Sequence, residues 1–292
     1  MDLVARGEYL VRHVSLCGDC HTPIDLDTGA PDPALWLAGN PAFIDIDPLD
    51  PDFGLLPSKN LTAVAGWAAD QIKDAFQNGN APSGPLAAVM PYWVFHNMSD
   101  ADADAIVAYL QSLDFIENVI PARQDPWNVV APAPPIADSD IPQTTLTKDD
   151  PDYESAVRGR YLTGMASLCA DCHTPELAPG SETLVDYTML FAGGRAFPRE
   201  AFGLGDPWPA LIYTRNITPH ATGIAGWTAA QVRIALQDGT DDDGDGLCPP
   251  MPSGPMGAFA GMTDEDAIDI GNYITTMPGI DNTIAEDCVP PG

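Results

Sequence analysis

Apolar positions at the start of the chain recur at intervals of four and three: Leu3, Gly7, Leu10, Val14 and Cys17. That spacing keeps them on one face and predicts a helix running up to Cys17. Trp67, Ile72 and Phe76 predict a second, shorter helix. The third opens on a capping pattern, Ser99 with Asp102 three residues on. Its inward face is then Ile106, Tyr109, Leu110 and Leu113. The Pro- and Gly-rich stretches between these segments lack the alternation of a strand and read as long loops.

The same pattern is then written a second time. Arg6-Gly7-Glu8-Tyr9-Leu10 and Cys17-Gly18-Asp19-Cys20-His21-Thr22-Pro23 return, at an offset of 152, as Arg158-Gly159-Arg160-Tyr161-Leu162 and Cys169-Ala170-Asp171-Cys172-His173-Thr174-Pro175. With small insertions, Ala38-Gly39 pairs with Ala192-Gly193, Asn60-Leu61-Thr62 with Asn216-Ile217-Thr218, and Gly66-Trp67 with Gly226-Trp227. Leu86 and Met90-Pro91 pair with Leu247 and Met251-Pro252, and Met98-Ser99-Asp100 with Met262-Thr263-Asp264. The third helix of the second copy presents Ile270, Tyr273 and Ile274. Solenoids need about three or more stacked units, so two long copies read as self-contained domains. The expected organisation is a first domain over 1–119, a connector over 120–152 and a second domain over 153–292. Seven prolines between Pro121 and Pro151 predict an extended, semi-rigid connector, with Trp127 as its candidate anchor. The fold class expected is all-α, two tandem domains of about three main helices each. So few helices with such long loops lack a core unless something large fills each centre.

The doubled Cys-x-x-Cys-His names that filler. It is the attachment sequence of c-type haem: two thiols one helical turn apart form thioethers to the porphyrin, and the adjacent histidine reaches the iron. Cys17, Cys20 and His21 are expected to hold one haem, and Cys169, Cys172 and His173 a second. A zinc site would want another Cys/His pair in each copy, and neither supplies one. A thioredoxin-like redox pair would need a βαβ setting, which is missing. For the sixth iron ligand the recurring Leu-x-x-x-Met-Pro selects Met90 and Met251. Met256, five residues beyond Met251, is the rival in the second copy. Met98 and Met262 precede helix caps and read as hydrophobic staples. His13 and His96 have no counterparts in the second copy and read as surface or packing residues.

On Arg-Gly-x-Tyr-Leu, Cys-x-x-Cys-His-Thr-Pro, Asn-(Leu/Ile)-Thr, Gly-Trp, Met-Pro and the final helix ending in Tyr, both halves resemble mono-haem cytochrome c domains. The likeness, over about residues 3–114 and 155–277, is greatest to cytochrome subunits of bacterial alcohol and sugar dehydrogenases and related diheme cytochromes. The resemblance implies that Asn60, Trp67, Asn216 and Trp227 lie near the haem propionates, where Asn and Trp can donate hydrogen bonds. Those dehydrogenase subunits usually carry three haems and often a membrane anchor; this sequence has two haem motifs. The implied function is relay of electrons through two haems with histidine–methionine ligation, with no catalytic residue of its own. The alternatives are a haem enzyme of the diheme-peroxidase kind, which needs one open iron position, and a haem domain of a larger dehydrogenase or conducting assembly. The doubled Met-Pro favours relay.

Two features belong to the second copy alone. Four of the six cysteines are assigned to haem; Cys248 and Cys288 remain, and an even remainder suggests a disulfide tying the tail to the Met251 loop. Asp241, Asp243 and Asp245 fit the opening of a calcium loop, but position twelve is Pro252 rather than Glu. A solvated acidic turn is the preferred reading there, with calcium the alternative.

Charge then narrows the partners. Twelve Lys and Arg face 42 Asp and Glu across 292 residues, a formal net charge of −30. Such a surface repels phosphate backbones, which excludes nucleic acid; it reads first as a device for solubility or for life in a salty medium, and compatibly as one that steers redox partners with a basic docking face. No run of 18 apolar residues offers a membrane span. Met1–Arg6 does not resemble a signal peptide, so the sequence is expected to be a mature or trimmed form, located by its haem chemistry in the periplasm or outside the cell.

Overall fold

The computed structural model describes residues 2–25, 31–129, 133–178, 181–199, 204, 206, 208–284 and 288. The chain forms two compact units, Met1–Ala133 and Pro134–Gly292.

In the first unit, helix α1 (Leu3–Tyr9) runs into one turn of π-helix, Leu10–Val14. The chain then turns at Leu16, held in the left-handed region at φ 57°, and starts a separate short helix, α2 (Cys17–His21). The continuous helix expected through Cys17 is therefore broken: the wider turn and the reversal at Leu16 re-aim the cysteines. A short antiparallel ladder follows, β1 (Ile44–Asp45) with β2 (Leu55–Leu56). Helix α3 (Ala69–Asn78) buries Ile72, while Trp67 precedes it at the end of a 3-10 turn. The ladder β3 (Asn80–Ala81) with β4 (Gly84–Pro85) leads to the short helix α4 (Tyr92–Phe95) and then to α5 (Asp100–Ser112). Ser99 caps α5 as expected, its hydroxyl accepting from the Asp102 N–H at 3.2 Å. Ile106, Tyr109 and Leu110 are buried with Leu10, Val11, Val14, Trp93 and Met98.

The second unit repeats this plan. Helix α6 (Tyr153–Tyr161) passes into a π-turn, Leu162–Ala166, and then α7 (Cys169–Cys172). The ladder β5 (Ala196–Pro198) with β6 (Leu211–Tyr213) precedes α8 (Ala229–Gln237), and α9 (Asp264–Ile274) closes the unit. Thr263 caps α9 at 3.2 Å, and Phe191 meets Tyr273 edge-on, centroids 6.2 Å apart. The units are helical, and their ladders are two or three residues long, too short to show alternation in sequence.

Each crossing of first and last helix depends on a glycine. A Cβ on Gly7 would lie 1.9 Å from the Ala105 carbonyl oxygen, and one on Gly159 1.8 Å from that of Asp269. The neighbouring arginines pin the crossings: Arg6 forks onto Asp102 (2.9 and 3.1 Å) and Arg158 onto Asp269 (2.7 and 2.9 Å).

The proline-rich segment is packed rather than free. Trp127 donates its indole N–H to Gly54 O at 2.7 Å, and Ala133 its N–H to the Tyr92 hydroxyl. On the other unit, Ile136 and Ile141 are fully buried. Arg160 donates to Asp138 Oδ1 and to the carbonyls of Ile141 and Pro142. These are core contacts that proline density conceals in the sequence.

Candidate haem-attachment sites

The short helices α2 and α7 each put two cysteines on a single turn, with His21 the last residue of α2 and His173 the residue that follows α7. None of the four cysteines forms a disulfide. Burial pushes the Cys17 thiol up to about 12, with the Asp19 carboxylate adding to it, and burial raises that of Cys169 as well.

Both histidines are held through the same ring nitrogen. His21 Nδ1 lies 2.7 Å from Lys59 O, and His173 Nδ1 lies 2.8 Å from Arg215 O. A carbonyl only accepts, so Nδ1 carries the proton and the Nε2 lone pair is left for a metal. Burial lowers both histidines below their ordinary pKa, against a smaller opposing push from these hydrogen bonds. A neutral imidazole fixed in one tautomer is what an axial ligand requires. With two thiols on the preceding turn, the donor set fits covalent haem.

The turn after each histidine explains the recurring Thr-Pro. Thr22 Oγ1 accepts from the Leu37 N–H at 3.0 Å, and Thr174 Oγ1 from the Phe191 N–H at 3.2 Å. Leu37 and Phe191 both sit at positive φ, 58° and 69°, unusual for bulky residues and held in each unit by that hydroxyl. Nothing in the residue types announces this.

Met90 lies half-buried on a separate loop, its N–H bonded to Ala87 O at 2.9 Å, just before the buried Tyr92–Phe95 helix. Met251 is half-buried likewise, its N–H on Cys248 O at 3.2 Å, whereas Met256 is 85% exposed. Met98 and Met262 are buried beneath the caps, each with its carbonyl accepting from a glutamine, Gln77 and Gln237. His13 packs on Tyr9, and exposed His96 binds Asn78 Oδ1 at 2.8 Å. The amides of Asn60 and Asn216 order their own loops: Oδ1 accepts from Thr62 and Thr218, and Nδ2 donates to Ile116 O and Ile280 O. Trp67 and Trp227 are half-buried. Cys248 and Cys288 form a disulfide. Asp241 Oδ1 closes its own turn on the N–H groups of Asp243 and Asp245, and no cluster of three metal-ligating side chains occurs among the described residues.

Fold and site are those of a class: the first unit carries a cytochrome c domain, and the chain is similar along nearly its whole length to a cytochrome c subunit. Residues 2–110 match the family model described as cytochrome c oxidase, cbb3-type, subunit III. The chain is similar to the cytochrome c subunit of an alcohol dehydrogenase (quinone) from Gluconobacter oxydans, 35% identical over 95% of this chain and 55% of the relative. A diheme cytochrome c-type protein of Cereibacter sphaeroides is 36% identical over 38% of this chain and 36% of its own length. The cytochrome c subunit of a gluconate 2-dehydrogenase from Pantoea cypripedii is 27% identical over 76% of this chain and 45% of its own length. The chain thus spans about half, or less, of the length of these relatives.

Proposed function

We propose that the protein relays electrons through two covalently bound c-type haems, one in each of two tandem cytochrome c-like, all-α domains, over 1–119 and 153–292. The observation that carries this reading is the histidine geometry, with the same Nδ1-to-carbonyl bond at matching positions of both copies. A bound haem supplies the one-electron couple. Cys17 and Cys20, or Cys169 and Cys172, fasten it; His21 or His173 offers Nε2 from one side. Met90 and Met251 are the proposed ligands on the other, and the exposure of Met256 supports Met251 in the second domain. Haems held by both a histidine and a methionine would keep their ligands in both oxidation states, which would suit a carrier and would leave no open position for peroxide. Trp67 and Trp227 are proposed to donate to propionates; no protein group accepts from either indole N–H among the described residues. For Asn60 and Asn216 that role shares the amide with the loop bonds above.

Covalent haem and the Cys248–Cys288 disulfide support a location outside the cytoplasm. No described helix is long and apolar enough to cross a membrane. A haem domain serving a larger dehydrogenase is the second reading, supported by similarity to the Gluconobacter subunit along nearly the whole chain. Calcium at Asp241, Asp243 and Asp245 has less support, because Asp241 already satisfies its own turn.

The test is haem content with ligand replacement. Two haems per chain are expected, with the sulfur-to-iron charge-transfer band of Met-ligated ferric haem at both. Met90→Ala and Met251→Ala should each remove about half of that band, and Met256→Ala none. A high-spin, peroxide-reactive iron in the unaltered protein would sink the relay reading.

A further inference from the structure

One residue in each unit, marked neither by motif nor by resemblance, stands at the hub of the bonds around the histidine. In the first unit the Asn118 amide donates to Gly39 O at 2.8 Å and to Ala38 O at 3.2 Å. The Gly39 N–H in turn donates to His21 O at 2.8 Å. Gly39 also lies flat on the Lys59–Asn60 peptide: a Cβ there would come within 2.7 Å of the Asn60 nitrogen, and its φ of +85° suits glycine. The carbonyl of that same peptide accepts from His21 Nδ1.

The second unit builds the same circuit. Asn282 donates to Ala192 O at 3.0 Å and to Gly193 O at 3.4 Å, and Gly193 N–H donates to His173 O at 2.7 Å. A Cβ on Gly193 would lie 2.5 Å from the Asn216 nitrogen, in the peptide whose carbonyl accepts from His173 Nδ1. Asn118 ends Ile116-Glu117-Asn118 and Asn282 ends Ile280-Asp281-Asn282, at the offset of 164 that relates α5 to α9. The Asn60 and Asn216 amides tie the first residue of each triplet back to the same peptide.

We propose that Asn118 and Asn282 are positioning residues for the axial histidines: by pinning Gly39 and Gly193 against the accepting peptide, they set the Nδ1–H···O=C bond of His21 and His173. This rests on the reading of those histidines as iron ligands. Donation through Nδ1 makes Nε2 a stronger base, and a more basic ligand favours oxidised iron. Slackening the clamp weakens the bond, so the potential of that haem rises.

The test is Asn118→Leu, close to isosteric and without donors, with Asn118→Gln as rescue, in the full haem-loaded chain. Two readouts are taken: the midpoint potential of each haem, and the His21 Nδ1–H proton resonance in the reduced, diamagnetic protein. The expected result is a higher first-haem potential and an upfield resonance, the second haem unmoved, and recovery in the Gln variant. Asn282→Leu should do the converse, and it carries the test alone if Asn118→Leu does not fold. Ser99→Ala, which removes the α5 cap, controls for lost stability. If Asn118→Leu lowers the unfolding temperature as Ser99→Ala does, with potential and resonance in place, the asparagine only holds the fold together and the proposal falls. Failure of the ligand reading shows separately, as unaltered protein in which His21 bears no haem-shifted resonances.

Discussion

At the scale of single residues, the repeated Arg-Gly-x-Tyr-Leu carries the packing logic of both units. Its glycine lets two helix backbones touch, and its arginine forks onto an acid of the partner helix. The acid is not the repeat-equivalent one: Asp102 sits in the first turn of α5, whereas Asp269 lies one turn deeper in α9 than its counterpart Asp266. The position between Gly and Tyr has diverged further. Glu8 makes an exposed pair with Arg12, while Arg160 is buried and holds the carbonyls of Ile141 and Pro142. The glycine has no such freedom. A methyl at Gly7 or Gly159 overlaps a backbone carbonyl, so only movement of a whole helix relieves it. Gly7→Ala and Gly159→Ala should each cost about 1–3 kcal/mol or more, read as a lower denaturant midpoint of the haem-loaded protein. Gly66→Ala, with nothing within 4 Å of the new methyl, should stay within about 0.5 kcal/mol of the parent. Equal losses at all three would show that the crossings are not backbone contacts.

At the scale of elements, the second unit differs from the first in the loop that carries its methionine. The Cys248–Cys288 bond closes a separation of 40 residues and anchors the tail three residues before Met251. Chain entropy puts an upper value of about 4 kcal/mol on such a cross-link. Replacing both cysteines by serine should lower the stability of the second unit by about 2–4 kcal/mol and leave the first unit as it was. Because Met251 N–H bonds to Cys248 O, the charge-transfer band proposed for the second unit should weaken while that proposed for the first persists. Stability and both bands unchanged would mean that the bond is ornamental. What the sequence makes legible at this scale follows from how local each cause is. The caps at Ser99 and Thr263 are readable because cap and partner lie three residues apart, and the Cys-x-x-Cys-His motif because its residues are contiguous. The π-turns before each cysteine pair shift hydrogen bonds by one residue and need no special side chain, so the helix face reads as continuous through Cys17. Leu16, Leu37 and Phe191 take positive φ without glycine's signature. The partner of each histidine is a backbone carbonyl, which any residue provides, and the two positions hold Lys59 and Arg215. Asn118 and Asn282 become visible only when the repeat is followed past its last helix.

At the scale of the molecule, the shortage of cations bears on which partners the surface would attract. At least eight of the twelve Lys and Arg are engaged inside the chain: Arg6, Arg12, Lys73, Arg158, Arg160, Arg195, Arg199 and Arg233 each pair with an acid. Several of these pairs fasten helix crossings or loops, as Arg195 does on Asp171 beside the second haem motif. These cations are engaged in pairs within the chain, whose formal net charge is −30. Exposed pairs add little stability, so the consequence lies in encounter rather than in folding. A field of that sign raises the rate of meeting a basic redox protein by roughly 10–1000-fold at low salt. The screening length falls from about 30 Å at 0.01 M salt to about 10 Å at 0.1 M. Electron exchange with a basic partner should therefore slow on the order of tenfold or more across that range, measured by stopped-flow mixing at fixed potential difference. With an acidic partner the dependence should reverse, because salt then screens repulsion. A rate with the basic partner that stays flat would mean that docking rests on a small uncharged patch and that the acidic surface serves solubility alone.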